Sequence, residues 1–332
     1  MIFLRIFKDN RALGTAGIIL FLIALFVPSF IKDFSTTSSA EIVPHTCMPF
    51  YNFIFGSIYK LPVLNHLVTM LIMMLINYTL IRIGIRDQLL RERSLMPAFF
   101  FMLFTAAIPA ARQVSPALIG SLFYLFSFAI LLEVQEKETD TLSIFTASLI
   151  LALGSMFCLK LIWFVPLIWL SLWTLRSVTW REIFYPVTAY ILLGIFLLTW
   201  YVGIMGNGAG LVDLLANNLE FTGSFKPFHK SVYLLYGYIL LLVIIASIYM
   251  INHFQTMKTM AQNIYQVMFY MFLAGILFFV FILRFDPSSL IFISFPVSFI
   301  LSNYFHRRKS HWTHELAIWI LLGLVVYVQL MV

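Results

Sequence analysis

The sequence predicts an all-α, polytopic transmembrane helical bundle of about 9–11 spans. Three observations predict it. Residues are 62% hydrophobic and 11% charged, whereas a soluble domain is about half apolar and about a quarter charged. Apolar runs long enough to cross a hydrocarbon core of about 30 Å recur along the chain. Lys and Arg collect in alternate connections, as cytoplasmic loops require.

The predicted spans are 12–31, 63–81, 95–110, 115–132, 142–158, 161–175, 184–204, 231–251, 265–283, 289–304 and 316–331, all within one membrane domain over 1–332. The first follows Arg5, Lys8 and Arg11 and resembles a signal peptide in its flank. Its length and the bulky Val27-Pro28-Ser29-Phe30 read instead as an uncleaved span. Several middle spans have only about sixteen residues and reach about 24 Å at 1.5 Å per residue. Such segments are tolerated inside a bundle or in a thinned bilayer.

With the N-terminus inside, the inner segments hold fourteen of the 21 Lys and Arg, among them Arg82, Arg86, Arg91, Arg93, Arg176, Arg181 and Arg307. The outer segments hold Lys32, Lys60, Arg112, Lys160, Lys226, Lys230 and Arg284. The bias predicts a cytoplasmic N-terminus and, with eleven spans, a C-terminus at the outer face. Inner acidic residues Glu133, Glu136, Glu138 and Asp140 stand ready to pair with the inner arginines.

Two outer segments are long enough for structure. Cys47–Lys60 is apolar and aromatic and predicts a helix lying in the interface. Gly206–Lys230 predicts a short helix at Leu211–Leu219. Cys47 and Cys158 both fall at the outer face, where a disulfide is chemically allowed; small apolar packing residues are the plainer reading.

Composition and motifs exclude several functions. The formal charge of +7 is spread over short loops and forms no nucleic-acid module. No Asp, Glu, Lys or Arg falls mid-span, which argues against an ion-coupled pump. No phosphate-loop, metalloprotease or serine-elbow motif occurs. No cysteine or histidine cluster has metal spacing, so no cofactor or metal is expected.

What remains lies at the outer face. Asp33 follows the first span directly, with Glu41 and His45 in the same loop. Held against the membrane, a carboxylate is partly desolvated and its pKa rises, which suits a general base. Arg112, Lys160 and Arg284 each sit in a tight outer turn. Singly each snorkels to the interface; together they would form a cationic patch for a lipid phosphate.

Arg91-Glu-Arg-Ser-Leu-Met-Pro-Ala-Phe-Phe, Ser115-Pro-Ala-Leu-Ile and Val178-Thr-Trp-Arg-Glu-Ile, with the spacing between them, resemble an uncharacterised family of Bacteroidetes inner-membrane proteins over Leu64–Trp200. That resemblance implies a Gram-negative inner membrane and no established activity. Pro44-His45-Thr46-Cys47-Met48-Pro49-Phe50-Tyr51, after a span and an acid-bearing outer loop, is similar to the segment following the first outer loop of GT-C glycosyltransferases. This second resemblance implies a GT-C-like arrangement with Asp33 as catalytic base, although Asp33 has Lys32 and Phe34 as neighbours where many members carry an acidic pair. The partners expected are membrane lipids and a polyprenyl phosphate carrier. A non-catalytic scaffold or subunit of an envelope complex, and a lipid or small-solute transporter, are the alternative readings.

Overall fold

The computed structural model describes residues 14–24, 48–56, 58, 61–86, 94–106, 108, 111–135, 141–206, 208–219, 230–282, 286–307 and 312–331. Within these residues the chain is α-helical and has no strand. The helices are α1 (Gly14–Ala24), α2 (Pro49–Phe55), α3 (Pro62–Arg86), α4 (Met96–Thr105), α5 (Pro116–Glu133), α6 (Thr141–Ser155), α7 (Val165–Leu175), α8 (Trp180–Leu198), α9 (Gly208–Leu219), α10 (Lys230–Asn252), α11 (Thr259–Leu277), α12 (Leu290–Arg307) and α13 (Trp312–Met331). A 3-10 segment, Leu159–Phe164, runs into α7, and π-helical turns extend α8 through Ile204 and α11 through Ile282.

Among the described residues, seven helical segments are long and apolar enough to cross a membrane: Val63–Ile85, Pro116–Glu133, Trp180–Ile204, Lys230–Asn252, Thr259–Ile282, Pro287–His306 and Trp312–Gln329. Gly14–Ala24, Met96–Thr105, Thr141–Ser155 and Leu159–Leu175 are shorter apolar helices. Each predicted span therefore has a helix within it, and the bounds move for local reasons. The predicted 184–204 begins at Trp180 because Thr179 and Glu182 form a reciprocal capping box there. The predicted 142–158 ends at Ser155, where a turn and the 3-10 segment begin.

The centre of the bundle is α12. Its Phe295 stacks on Phe101 of α4 at 5.2 Å, and its Phe292 meets Tyr124 of α5, Phe164 and Phe278. Near the far end Phe305 stacks on Phe100. The helix also buries Ser294, Ser298 and Ser302, whose hydroxyls donate to the carbonyls of Ile291, Phe295 and Ser298. Bonding back to its own helix lets each serine enter an apolar core with its donor satisfied.

Glycine sets two close approaches. A β-carbon on Gly154 of α6 would stand 2.7 Å from Cβ of Phe123 on α5, and one on Gly275 of α11 would stand 2.9 Å from Ile293 of α12. Away from this core a smaller cluster joins Ala152, Met156 and Leu159 to Ala189, Leu193 and Leu197 of α8. Leu211, Leu214 and Leu215 of α9 pack against it.

At one end of the bundle Arg82 of α3 reaches Glu133 of α5 at 3.9 Å, the kind of cross-connection pairing read from the sequence. Arg176 and Glu182 form a buried ion pair across the α7–α8 hairpin, and Glu182 also accepts the Thr179 backbone N–H at 2.9 Å. The other end carries the Arg112 turn.

Candidate functional site at the Arg112 end

The Arg112 end is built on the first turns of α5. Ser115 caps that helix by accepting the Leu118 N–H at 3.2 Å, and Pro116, lacking an N–H to leave unpaired, follows it. One turn further, a β-carbon on Gly120 would lie 3.1 Å from Cβ of Cys158 and 3.2 Å from Leu161. The turn before α5, which holds Arg112, and the 3-10 segment, which holds Lys160, therefore pack around the same helix start. The Pro287–Ser289 turn packs on α5 as well.

The Arg112 turn is held from several sides. Asn65 of α3 accepts the Val114 N–H at 2.9 Å, and His66 Nδ1 lies 3.2 Å from the Arg112 carbonyl. Tyr51 of α2 donates to the Val114 carbonyl at 2.7 Å. The same helix sets Phe50 and Phe55 against Phe157, so α2 bridges the two cationic turns. A helix does form within Cys47–Lys60, over Pro49–Phe55, with Phe53 exposed.

The two cations differ. Arg112 is half-buried and donates through Nη2 to the Ala106 carbonyl at 2.8 Å. It thereby closes the C-terminus of α4, where the helix dipole favours a cation. Burial pulls its pKa below the ordinary arginine value while Tyr236 works the other way; arginine stays protonated regardless. Lys160 is also half-buried, and its ammonium pairs with no carboxylate among the described residues. α9 folds over the segment that carries it.

Asp33, Glu41, His45, Cys47 and Arg284 lie outside the described residues. The structure thus places Arg112 and Lys160 around one helix start and leaves the base and third cation as expectations. Asp286, beside Arg284 in the sequence, caps its own turn: Oδ1 accepts the Ser288 N–H at 3.1 Å and Oδ2 the Ser288 hydroxyl at 2.8 Å. No group of three metal-ligating side chains occurs among the described residues. Sequence reading missed Tyr51, Asn65 and His66. The polar pair Asn65-His66 inside an apolar run was a usable signal; a tyrosine among many aromatics was not.

A helical bundle rich in apolar spans, with a cationic turn at one end, defines an integral membrane protein. The chain belongs to a family of unknown function, DUF6427, whose profile matches residues 47–332. No curated protein and no solved structure matches it.

Proposed function

We propose that the Arg112 end faces the periplasm of a bacterial inner membrane and holds the phosphate of a polyprenyl-linked donor, as part of a GT-C-like transferase. The observation that carries this reading is Lys160: a half-buried lysine in the 3-10 segment packed on the start of α5, whose ammonium has no carboxylate partner among the described residues. A lysine in an outer turn carries its ammonium to the interface, where a lipid phosphate can meet it. Arg112, fixed by Ala106, contributes further positive charge from the adjoining turn.

In this reading Asp33 removes the acceptor proton, and Arg112, Lys160 and Arg284 stabilise charge growing on the phosphate that leaves. The test is undecaprenyl phosphate binding to protein in nanodiscs. Wild type should bind saturably, and Lys160→Ala should weaken binding by about tenfold, the loss of one charge-assisted contact. Arg112→Lys keeps the charge and is the companion variant, since Arg112→Ala would also uncap α4. Absence of saturable binding by folded wild type, or equal binding by Lys160→Ala, would remove the reading.

The scaffold reading has one observation in its favour. Only 17% of the most apolar stretch of α8 is buried, which leaves a long apolar face available to a partner.

A further inference from the structure

At the end of the bundle away from Arg112, two side-chain amides lie on facing sides of α5 and α12. Tyr124 of α5 and Phe292 of α12 are in ring contact at 5.7 Å. From that contact both helices run toward the Arg82 end: α5 reaches it at Glu133, paired with Arg82, and α12 at Phe299, which stands 3.8 Å from where a β-carbon on Gly84 would lie. Eleven residues past Tyr124 is Gln135, and eleven past Phe292 is Asn303. Eleven residues make three turns plus about 20° and a climb of about 16 Å. Each amide therefore lies on nearly the same face as the ring before it, and the amide pair repeats the ring pair at the helix ends. Val134, between Glu133 and Gln135, keeps helical backbone angles, so the face carries through. A second fix on height agrees. Gln135 is two residues past Glu133 as Gly84 is two past Arg82, and Asn303 is one turn past Phe299, which leaves the two amides within about 6 Å of one level.

These amides are not satisfied. Asn303 is 1% exposed, and neither its Oδ1 nor its Nδ2 has a hydrogen-bond partner among the described residues. The Gln135 Oε1 is buried and has none either. Neighbouring serines on α12 show the contrast, since Ser298 and Ser302 bond back to their own helix. Buried polar groups are paired as a rule, and each exception calls for a partner. An amide kept dry in place of leucine is a standing cost. The charge beside the gap is balanced, Glu133 being paired with Arg82.

We propose that the gap between Gln135 and Asn303 is a binding site for a small neutral hydroxyl ligand, held between the two amides. The chemistry of the donors selects it. Two carbonyl oxygens need donors and one amide nitrogen needs an acceptor, and a hydroxyl is both donor and acceptor. An ion would find no opposite charge in the gap. Water and a small polyol share this chemistry. The site lies at the opposite end from Lys160 and does not depend on the phosphate reading.

The test is hydroxyl-radical labelling by X-ray radiolysis of water, read by mass spectrometry on the full chain in nanodiscs, with wild type, Asn303→Leu and Gln135→Leu. Radicals form where water is held, so Phe299 and His306, both buried and one turn to either side of Asn303, should be oxidised in wild type. Phe164 and Phe278, as buried but packed on Phe292, should stay unlabelled. Either leucine variant should lower the labelling about tenfold, the loss of one well-made hydrogen bond. Asn303→Leu should also lower the Tm by about 3 °C. Gln135→Leu, nearer the surface, serves if Asn303→Leu does not fold. A saturable rise in Tm with millimolar glycerol in wild type, absent from the variants, would assign the hydroxyl to a polyol; labelling without that rise would assign it to water. No labelling of Phe299 and His306 in folded wild type, labelling unchanged in folded variants, or a higher Tm for Asn303→Leu would overturn the site.

Discussion

Two of the apolar spans, the one ending in α12 and the one formed by α8 with its π turn, live in opposite surroundings. In α12, 89% of the most apolar stretch is buried; in α8, 17% is. The buried helix is the more polar of the two, carrying Ser294, Ser298, Ser302, Asn303 and His306. The lipid-facing one presents Phe184, Ile191, Leu192, Ile195 and Leu198 outward. In a bilayer, apolarity does not draw a helix inward, because the tails outside are as apolar as the core. Between these two, the helix with the polar and small residues takes the centre and the more apolar one the rim.

The attachments differ accordingly. α12 is held by ring stacking and by close approach at Gly275, along its whole length. α8 is held by the stripe Pro186, Ala189, Leu193 and Leu197, and at its start by the buried Arg176–Glu182 pair. The largest expected effect is therefore on the rim helix. Glu182→Ala leaves the Arg176 guanidinium uncompensated and removes the capping box, at a cost of about 3–4 kcal/mol. Thermal unfolding in detergent and proteolysis at the hairpin would show it; a loss below about 1 kcal/mol would mean that the apolar stripe holds α8 by itself.

Next comes the core. Gly275→Leu forces a side chain into Ile293 and should cost about 2–3 kcal/mol, whereas Gly194→Leu on the rim should be neutral within about 0.5 kcal/mol in the same assay. Equal losses would erase the distinction between the two helices. Phe295→Ala removes the stack on Phe101 and opens a cavity, for about 2 kcal/mol, less than in water-soluble proteins because transfer into lipid offsets part of the loss. The smallest effect belongs to Ser298→Ala. Its hydroxyl bonds within its own helix, so the change should stay below about 0.6 kcal/mol. A larger loss would show that this serine holds a neighbouring helix.

Much of the fold was legible because hydropathy and length read spans directly. The helices at 116–133 and 230–252 fall within two residues of the predicted bounds. The short segments were legible as short, but not why: the chain between Ser155 and Val165 spends itself on a turn and a 3-10 stretch. Burial order was not legible, since nothing in the apolar runs says which helix is central. The ion pair at Glu182 was hidden because both partners read as ordinary loop charges two turns apart. Of the candidate site, the placement of Arg112 and Lys160 in tight turns was readable. That Arg112 is engaged by Ala106 while Lys160 pairs with no carboxylate among the described residues depends on how α4 and α5 meet, which no local pattern records.

The account turns on which side of the membrane the Lys160 turn faces, because a polyprenyl-linked donor used at the periplasmic surface is out of reach from the other side. Lys160→Cys, in a background with Cys47 and Cys158 changed to Ser, should react with a membrane-impermeant thiol reagent in intact spheroplasts, and undecaprenyl phosphate should protect it. Labelling only in inverted vesicles would place the Arg112 end in the cytoplasm and contradict the proposed function.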